Sequence, residues 1–181
     1  HQNPEIGFKE FQTSQYLSKI LSEKGYDIVK NDKMKTGFYC DYKNSAQMFA
    51  LRTDMDALEI EEKNSKINYQ SLNQGIMHAC GHDIHMASLI GTLVDLIDKK
   101  DQWQGNLLVI MQPAEEVSGG ARNMIKEGIF EKFPRPDFNL ALHVSADLPA
   151  GKVGYVPGWA MANVDSMDIT IKGVGGHGAY P

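Results

Sequence analysis

Short, wholly apolar runs separated by helical spacing set what this chain can become. Leu107 to Met111 is an uninterrupted apolar run, and Met48 to Leu51 and Leu140 to Val144 are short segments of similar character. Runs of this length suit strands buried on both faces, and they fall far short of the roughly 20 residues that span a bilayer. Helical segments lie before and between them. From Asn3-Pro4-Glu5 to Gly25 the pattern reads as a capped helix with Phe8, Phe11, Leu17, Ile20 and Leu21 along one face. Tyr26 to Val29 and Gly37 to Tyr42 read as strands. Asp83 to Lys100 is predicted as a second helix with a broad apolar surface and lysines in its last turn. Ser118 is placed to cap a third, carrying Ala121, Met124 and Ile125 up to Gly128. Alternation of this kind predicts an α/β domain: a mixed central sheet flanked by helices on both faces.

Near the end the period changes. From Asp165 to Lys172, Met167, Ile169 and Ile171 alternate with polar residues, which predicts a half-buried strand of a one-sided sheet. A boundary is therefore expected between Trp159 and Val164. It divides the chain into an incomplete catalytic-type domain, 1–162, and the first strand and turn of an α+β element, 163–181.

Composition narrows the function classes. The 181 residues carry 18 basic and 23 acidic side chains, a net charge of −5. That balance argues against a nucleic-acid partner, because phosphate binding needs clustered positive charge. With no apolar run long enough, no membrane association is expected. Two cysteines, Cys40 and Cys80, are too few for a disulfide scaffold and suit reduced thiols. A cytoplasmic location is the expectation, with a secreted or periplasmic form open if a leader has been trimmed.

The chemistry concentrates in Met77-His78-Ala79-Cys80-Gly81-His82-Asp83-Ile84-His85, which holds three of the six histidines. A thiolate and an imidazole two residues apart across a glycine turn can reach one borderline-soft cation. The run enters the N-terminus of the second helix, whose dipole favours a thiolate. A buried cysteine beside turn histidines is the plain alternative. Glu115 and Glu116 follow the apolar strand and Pro113, where α/β proteins place their sites; one acid can bind a metal while the other takes a proton. A solvated acidic loop is the alternative there. His143 lies in a segment too apolar for an unpartnered imidazole, so it is either hydrogen-bonded or a ligand. Asp54 and Asp56 close a strand, where they can bind a cation, cap a turn, or serve as in a haloacid-dehalogenase-like phosphatase, a reading that Ala57-Leu58 fits poorly. Gly173 to Gly178 matches G-x-G-x-x-G, but no helix or acidic residue follows, so a turn presenting His177 is preferred to a dinucleotide site.

Taken in order, several segments carry a resemblance. They are His1-x-Asn3-Pro4-Glu5-x-Gly7-Phe8-x-Glu10, Leu51-Arg52-x-Asp54-Met55-Asp56-Ala57-Leu58, the Met77 to His85 run, Gln112-Pro113-Ala114-Glu115-Glu116, Gly119-Gly120-Ala121-Arg122, Leu142-His143-Val144 and Gly175-Gly176-His177-Gly178-Ala179-x-Pro181. Together they resemble the metal-dependent amidohydrolases of the aminoacylase/carboxypeptidase superfamily, in the branch of N-acyl-amino-acid, hippurate and auxin-conjugate hydrolases. The resemblance implies a di-metal exopeptidase-like catalytic domain followed by the start of a lid, or dimerisation, domain. It implies Cys80, His82, Glu116 and His143 as ligands of two divalent ions, zinc or else manganese, cobalt or nickel. Glu115 would be the general base for a metal-activated water attacking the amide of an N-acyl amino acid or small peptide. Asp54, Asp56 and Asp83 would orient the ligands, and His177 would stabilise the oxyanion, often across a homodimer formed through the lid. Members are about twice this length and carry a last metal-binding histidine near their end, so this portion alone is expected to bind metal weakly and not turn over substrate. Two other readings stay open: a non-catalytic metal-binding module, and a thiol hydrolase using Cys80 with His78 or His82 as base.

Overall fold

The structure is a computed structural model, and it describes residues 1–43, 47–64, 66–165 and 167–180. It divides into a unit spanning His1–Val144 and a unit spanning Ser145–Pro181.

The first unit holds α1 (Phe11–Glu23), β1 (Asp27–Val29), β2 (Phe38–Tyr42), β3 (Met48–Asp54), α2 (His82–Asp98), β4 (Asn106–Gln112), α3 (Gly120–Lys126), α4 (Ile129–Lys132) and β5 (Phe138–Ala141). The five strands form one mixed sheet in the order β1-β2-β4-β3-β5. β2 is antiparallel to β1 and β4, whereas β3 lies parallel to both β4 and β5. Leu51 pairs with Val109 on one side and Leu140 on the other. The predicted mixed sheet of an α/β domain is thus observed.

Strand alternation builds a core on each face of the sheet. Phe38, Cys40, Leu107, Val109 and Met111 point to one face, where Leu17 and Leu21 of α1 and Met86, Leu89 and Leu93 of α2 cover them. Tyr39, Met48, Ala50 and Leu108 point to the other, against Met124, Ile129 and Phe133. This two-sided burial explains why Leu107 to Met111 contains no polar residue. Because β3, β4 and β5 run parallel, their last residues lie at one edge of the sheet. The segments that follow, around Asp56, Glu115 and His143, leave from that edge.

Several local expectations change. The first helix starts at Phe11 rather than beside Pro4. Its free N–H groups are met from outside: the Glu5 carboxylate accepts from Gln12 N–H at 3.1 Å and Thr13 N–H at 2.8 Å. Ser118 does not cap α3; Gly119 occupies that position without a side-chain bond, and Ser118 has φ 53°. The run predicted as a buried strand from Leu140 to Val144 becomes β5, which ends at Ala141 and is exposed along its length. β5 is an edge strand whose neighbour among the described residues is β3, so apolar sequence there does not bring burial.

In the second unit, residues 165 and 167–172, expected as a strand, do not form one. A strand needs a partner for its backbone groups, and the bridge observed in this unit is between His177 and Tyr180. Ser166 and Pro181, on which parts of those expectations fall, lie outside the described residues. The division after Val144 precedes the Trp159 to Val164 boundary drawn from periodicity.

Candidate metal centre

His82 is the hub of the site. It opens α2 directly after Gly81, whose left-handed φ of 79° turns the chain into the helix. Its ring is fully buried. Nδ1 lies 2.8 Å from the Asp56 backbone carbonyl, a bond that requires the proton on Nδ1 and leaves Nε2 with a lone pair. That Nε2 is buried with no hydrogen-bond partner. Around it stand Asp54 Oδ2 at 3.7 Å, Glu116 Oε1 at 3.7 Å and Glu115 Oε2 at 3.9 Å. Glu116 Oε1 is likewise buried and unpartnered. Acceptors that face one another beyond hydrogen-bond range and lack donors are poorly accommodated unless a cation joins them.

Two further donors complete the cluster. Cys80 Sγ approaches His143 Nε2 at 3.4 Å. The His143 ring is oriented by its own Nδ1, 2.7 Å from the Val144 carbonyl, so Nε2 carries the lone pair that faces Cys80. Cys80, His82 and His143 form one group whose potential ligand atoms all lie within 4.8 Å of one another, and His82, Glu115 and Glu116 form a second. His82 belongs to both. Ligands 2.0–2.3 Å from a tetrahedral ion stand about 3.3–3.8 Å apart, so the donor spacing and donor chemistry fit divalent metal binding.

A third group, Asp54, His82 and His85, also satisfies that spacing, but its chemistry differs. His85 donates from Nδ1 to Asp54 Oδ1 at 2.7 Å and accepts the Val144 N–H at Nε2, 2.9 Å away. With both nitrogens engaged, His85 works as a strut between β3, α2 and the segment bearing His143. Asp54 is further held by Arg52 Nη1 at 2.7 Å, while Arg52 Nε reaches Gln112 Oε1 at 2.9 Å and so ties the ends of β3 and β4. Asp56 accepts the Glu116 N–H at 3.0 Å through Oδ2. Its Oδ1 faces His82 Nδ1 at 3.4 Å, a weaker contact than the carbonyl bond.

These contacts shift the ionisable groups in a consistent pattern. Burial works to raise the Asp54 carboxyl, but His85, Arg52 and His82 together hold it below its ordinary value. Asp56 is likewise held low against burial by His82 and the Glu116 and Glu115 amides. Burial opposes protonation of His82, yet Asp56 and Asp54 push its pKa up. Glu115 is raised by burial and by the charge of Glu116. The Cys80 thiol is pushed up to about 11, first by burial and then by Glu116, Glu115 and Asp54. The site is thus a concentration of acidic groups, an environment that favours a bound cation.

Cys80, His82, Glu115, Glu116, His143, Asp54 and Asp56 are therefore brought together. Asp83 is turned elsewhere: its carboxylate lies 2.7 Å from His1 Nδ1, and the other ring nitrogen of His1 contacts Glu62 at 3.1 Å. His177 belongs to the second unit, where its Nδ1 accepts the Ala179 N–H at 3.2 Å. His85 and Arg52 have bracing roles that their motifs do not assign. The i, i+3 spacing of His85 from His82 puts both on one face of α2.

Fold and cluster define a class: an α/β domain with a dication-type donor set at the carboxyl edge of its parallel strands. Residues 50–181 match the profile of peptidase family M20/M25/M40, and the chain belongs to that family. It is 39% identical over 183 aligned positions to the N-acetyldiaminopimelate deacetylase of Bacillus subtilis (strain 168), covering 100% of this chain and 48% of that protein. It is 40% identical to the N-acetyl-L-cysteine deacetylase of the same organism, covering 100% of this chain and 43% of the relative. Among solved structures it resembles the Bacillus subtilis YXEP protein, a dinuclear metal binding peptidase from the M20 family. That match has a TM-score of 0.76 and 34% identity and covers 82% of this chain and 41% of the other. The chain thus spans about half the length of the relatives it matches.

Proposed function

We propose that the protein is a metal-dependent amidohydrolase that removes the acyl group from small N-acyl amino acids. Cys80, His82, Glu116 and His143 would hold two divalent cations, and Glu115 would be the general base. The observation that carries this reading is the pair of buried, unpartnered acceptors, His82 Nε2 and Glu116 Oε1, 3.7 Å apart, with His82 Nδ1 locked to a carbonyl. The substrate class draws on the deacetylase relatives, and the pair of ions on the dinuclear M20 neighbour.

Bound cations would supply Lewis acidity to a water molecule and to the amide carbonyl. The chain's own residues do the rest. Glu115, the more exposed of the two acids with 41% of its side chain accessible, accepts the proton as water adds to the carbonyl carbon. Its raised pKa suits a group that must then give that proton up. It passes the proton to the departing nitrogen as the C–N bond breaks, leaving a carboxylic acid and an amine. Asp56 keeps His82 in the required tautomer through its carbonyl and aligns the acidic turn through the Glu116 amide. Oxyanion stabilisation by His177 in a homodimer, and a cytoplasmic setting for the free cysteines Cys40 and Cys80, belong to the same proposal.

The thiol-hydrolase reading has less support. A nucleophilic cysteine needs a lowered pKa, and burial, followed by three carboxylates, pushes that of Cys80 the other way. Glu115→Gln tests the proposal. Activity on an N-acetyl amino acid should fall about 10²- to 10⁴-fold, while cobalt binding stays at wild-type stoichiometry. Retained turnover would remove Glu115 from the chemistry, and activity surviving exhaustive chelation would remove the metal.

A further inference from the structure

We propose that Glu10 is the positioning residue of the acidic turn: its carboxylate holds Ala114 in a left-handed conformation and thereby sets where Glu115 and Glu116 project. The inference rests on the reading above for the roles of those two acids.

Glu10 is fully buried. It sits at the N-cap of α1, yet its side chain makes no capping bond there. That service comes from Glu5, which takes the Gln12 and Thr13 amides. The Glu10 carboxylate instead crosses to the far end of β4. Oε1 accepts the Ala114 N–H at 2.8 Å, and Oε2 accepts the Thr36 hydroxyl. A carboxylate buried among a hydroxyl and backbone amides is costly to maintain, and burial pushes its pKa up, so what it restrains is informative.

It restrains a strained residue. Ala114 is fully buried with φ 47°, a conformation that side-chain-bearing residues adopt reluctantly. The strain is useful because it breaks the direction of β4 one residue before Glu115. The carbonyl of Ala114 is fixed as well, accepting from Gly119 N–H at 3.3 Å and Gly120 N–H at 3.2 Å. Space behind the turn is closed: a Cβ on Gly7 would lie 3.2 Å from Ala114 Cα, and one on Gly120 only 1.6 Å from the Pro113 carbonyl. On the other side Asp56 takes the Glu116 N–H at 3.0 Å. Two buried carboxylates from distant parts of the chain therefore grip successive amides of one turn, Glu10 at Ala114 and Asp56 at Glu115 and Glu116.

Three variants test this in the full chain: Glu10→Gln, Glu10→Met, and Glu10→Met combined with Ala114→Gly. The readouts are cobalt affinity from the visible absorption bands, kcat and KM separately, and the Ala114 amide resonance after ¹⁵N-alanine labelling. Glu10→Gln keeps an acceptor for the Ala114 amide and a donor for Thr36, so cobalt affinity should stay within about threefold of wild type. Glu10→Met keeps the length without the acceptor, and affinity should fall about 10- to 100-fold, the usual cost of losing a group that orients a ligand. kcat should fall with it while KM changes little. Glycine at 114 adopts the left-handed conformation without help, so the double variant should recover about tenfold. A merely space-filling role for Glu10 would not respond to glycine at 114.

Wild-type cobalt affinity in Glu10→Met, or no recovery in the double variant, overturns the proposal. If Glu10→Met fails to fold, Glu10→Gln decides: near-wild-type affinity supports the proposal and a tenfold loss overturns it. A wild-type chain with no cobalt bands defeats the metal reading instead. The Ala114 amide then decides the positioning separately: a downfield resonance in wild type and Glu10→Gln supports it, and an unremarkable one in both overturns it.

Discussion

Gly81→Ala is a small substitution at the point where the two halves of the donor cluster meet. Gly81 has φ 79°, and a Cβ there would lie 2.5 Å from Val144 Cγ2. Two costs follow. Holding alanine in the left-handed region costs about 1–2 kcal/mol. Ordinary carbon contact is about 3.5 Å, so Val144 must also give way by about 1 Å, and overpacking of that kind costs about 1–3 kcal/mol. The expected loss is therefore about 2–5 kcal/mol. Val144 cannot move alone. Its N–H is held by His85 Nε2 at 2.9 Å, and its carbonyl orients His143 through a 2.7 Å contact. Displacing it should pull His143 Nε2 from its 3.4 Å approach to Cys80, so metal affinity should fall along with stability.

The cause can be isolated with Val144→Ala. Val144 is 37% exposed, so truncating it alone should cost under about 1 kcal/mol. Combined with Gly81→Ala it removes the clash and leaves only the backbone cost of about 1–2 kcal/mol. Urea denaturation of the four chains gives the coupling energy, expected at about 1–3 kcal/mol in the rescuing direction. Cobalt titration of the same chains should follow the same order. Strict additivity, or a Gly81→Ala chain as stable as wild type, would show that Val144 does not pack on the α2 entrance as described.

Two other predictions read the ionisable groups. Cys40 is fully buried and its thiol pKa is driven up by burial and by Asp41, so iodoacetamide should leave it untouched in the native chain. Cys80 should react in the metal-free chain, slowly near neutrality and faster as pH approaches its value of about 11, with cobalt protecting it. Fast labelling of Cys80 at pH 7 would contradict the carboxylate environment. Asp54 and Asp56 have folded pKa values below the ordinary one. Their contribution to stability is therefore fully present above about pH 3.9 and lost as pH falls below it. The urea midpoint of the metal-free chain should hold between pH 5 and about pH 4 and drop as pH falls further, and the drop should be smaller in Asp56→Asn; equal slopes in the two chains would refute the assignment.

What could be read in the sequence was whatever depends on near neighbours along the chain. The apolar run Leu107 to Met111 declares a strand buried on both faces because each of its side chains must find a core. Cys80 and His82, two apart across a glycine, stand out as candidate ligands of one cation because the glycine turn lets both side chains converge. The adjacent acids Glu115 and Glu116 stand out because they end such a strand. Features set by remote partners were hidden. The start of α1 moved from Pro4 to Phe11 because its cap, Glu5, acts seven and eight residues ahead rather than from the N-cap position. Leu140 and Leu142 look like core residues, but their burial depends on what lies beside β5, and they are 59% and 57% exposed. Glu10 carries no local sign of burial, and it is contacts with Thr36 and, across 104 positions, with Ala114 that place it inside. The donors of this site can thus be recognised from local chemistry, whereas the residues that aim them cannot. Orientation needs a rigid partner from a different element, and such a partner is distant in sequence because an adjacent one would move with the group it is meant to hold.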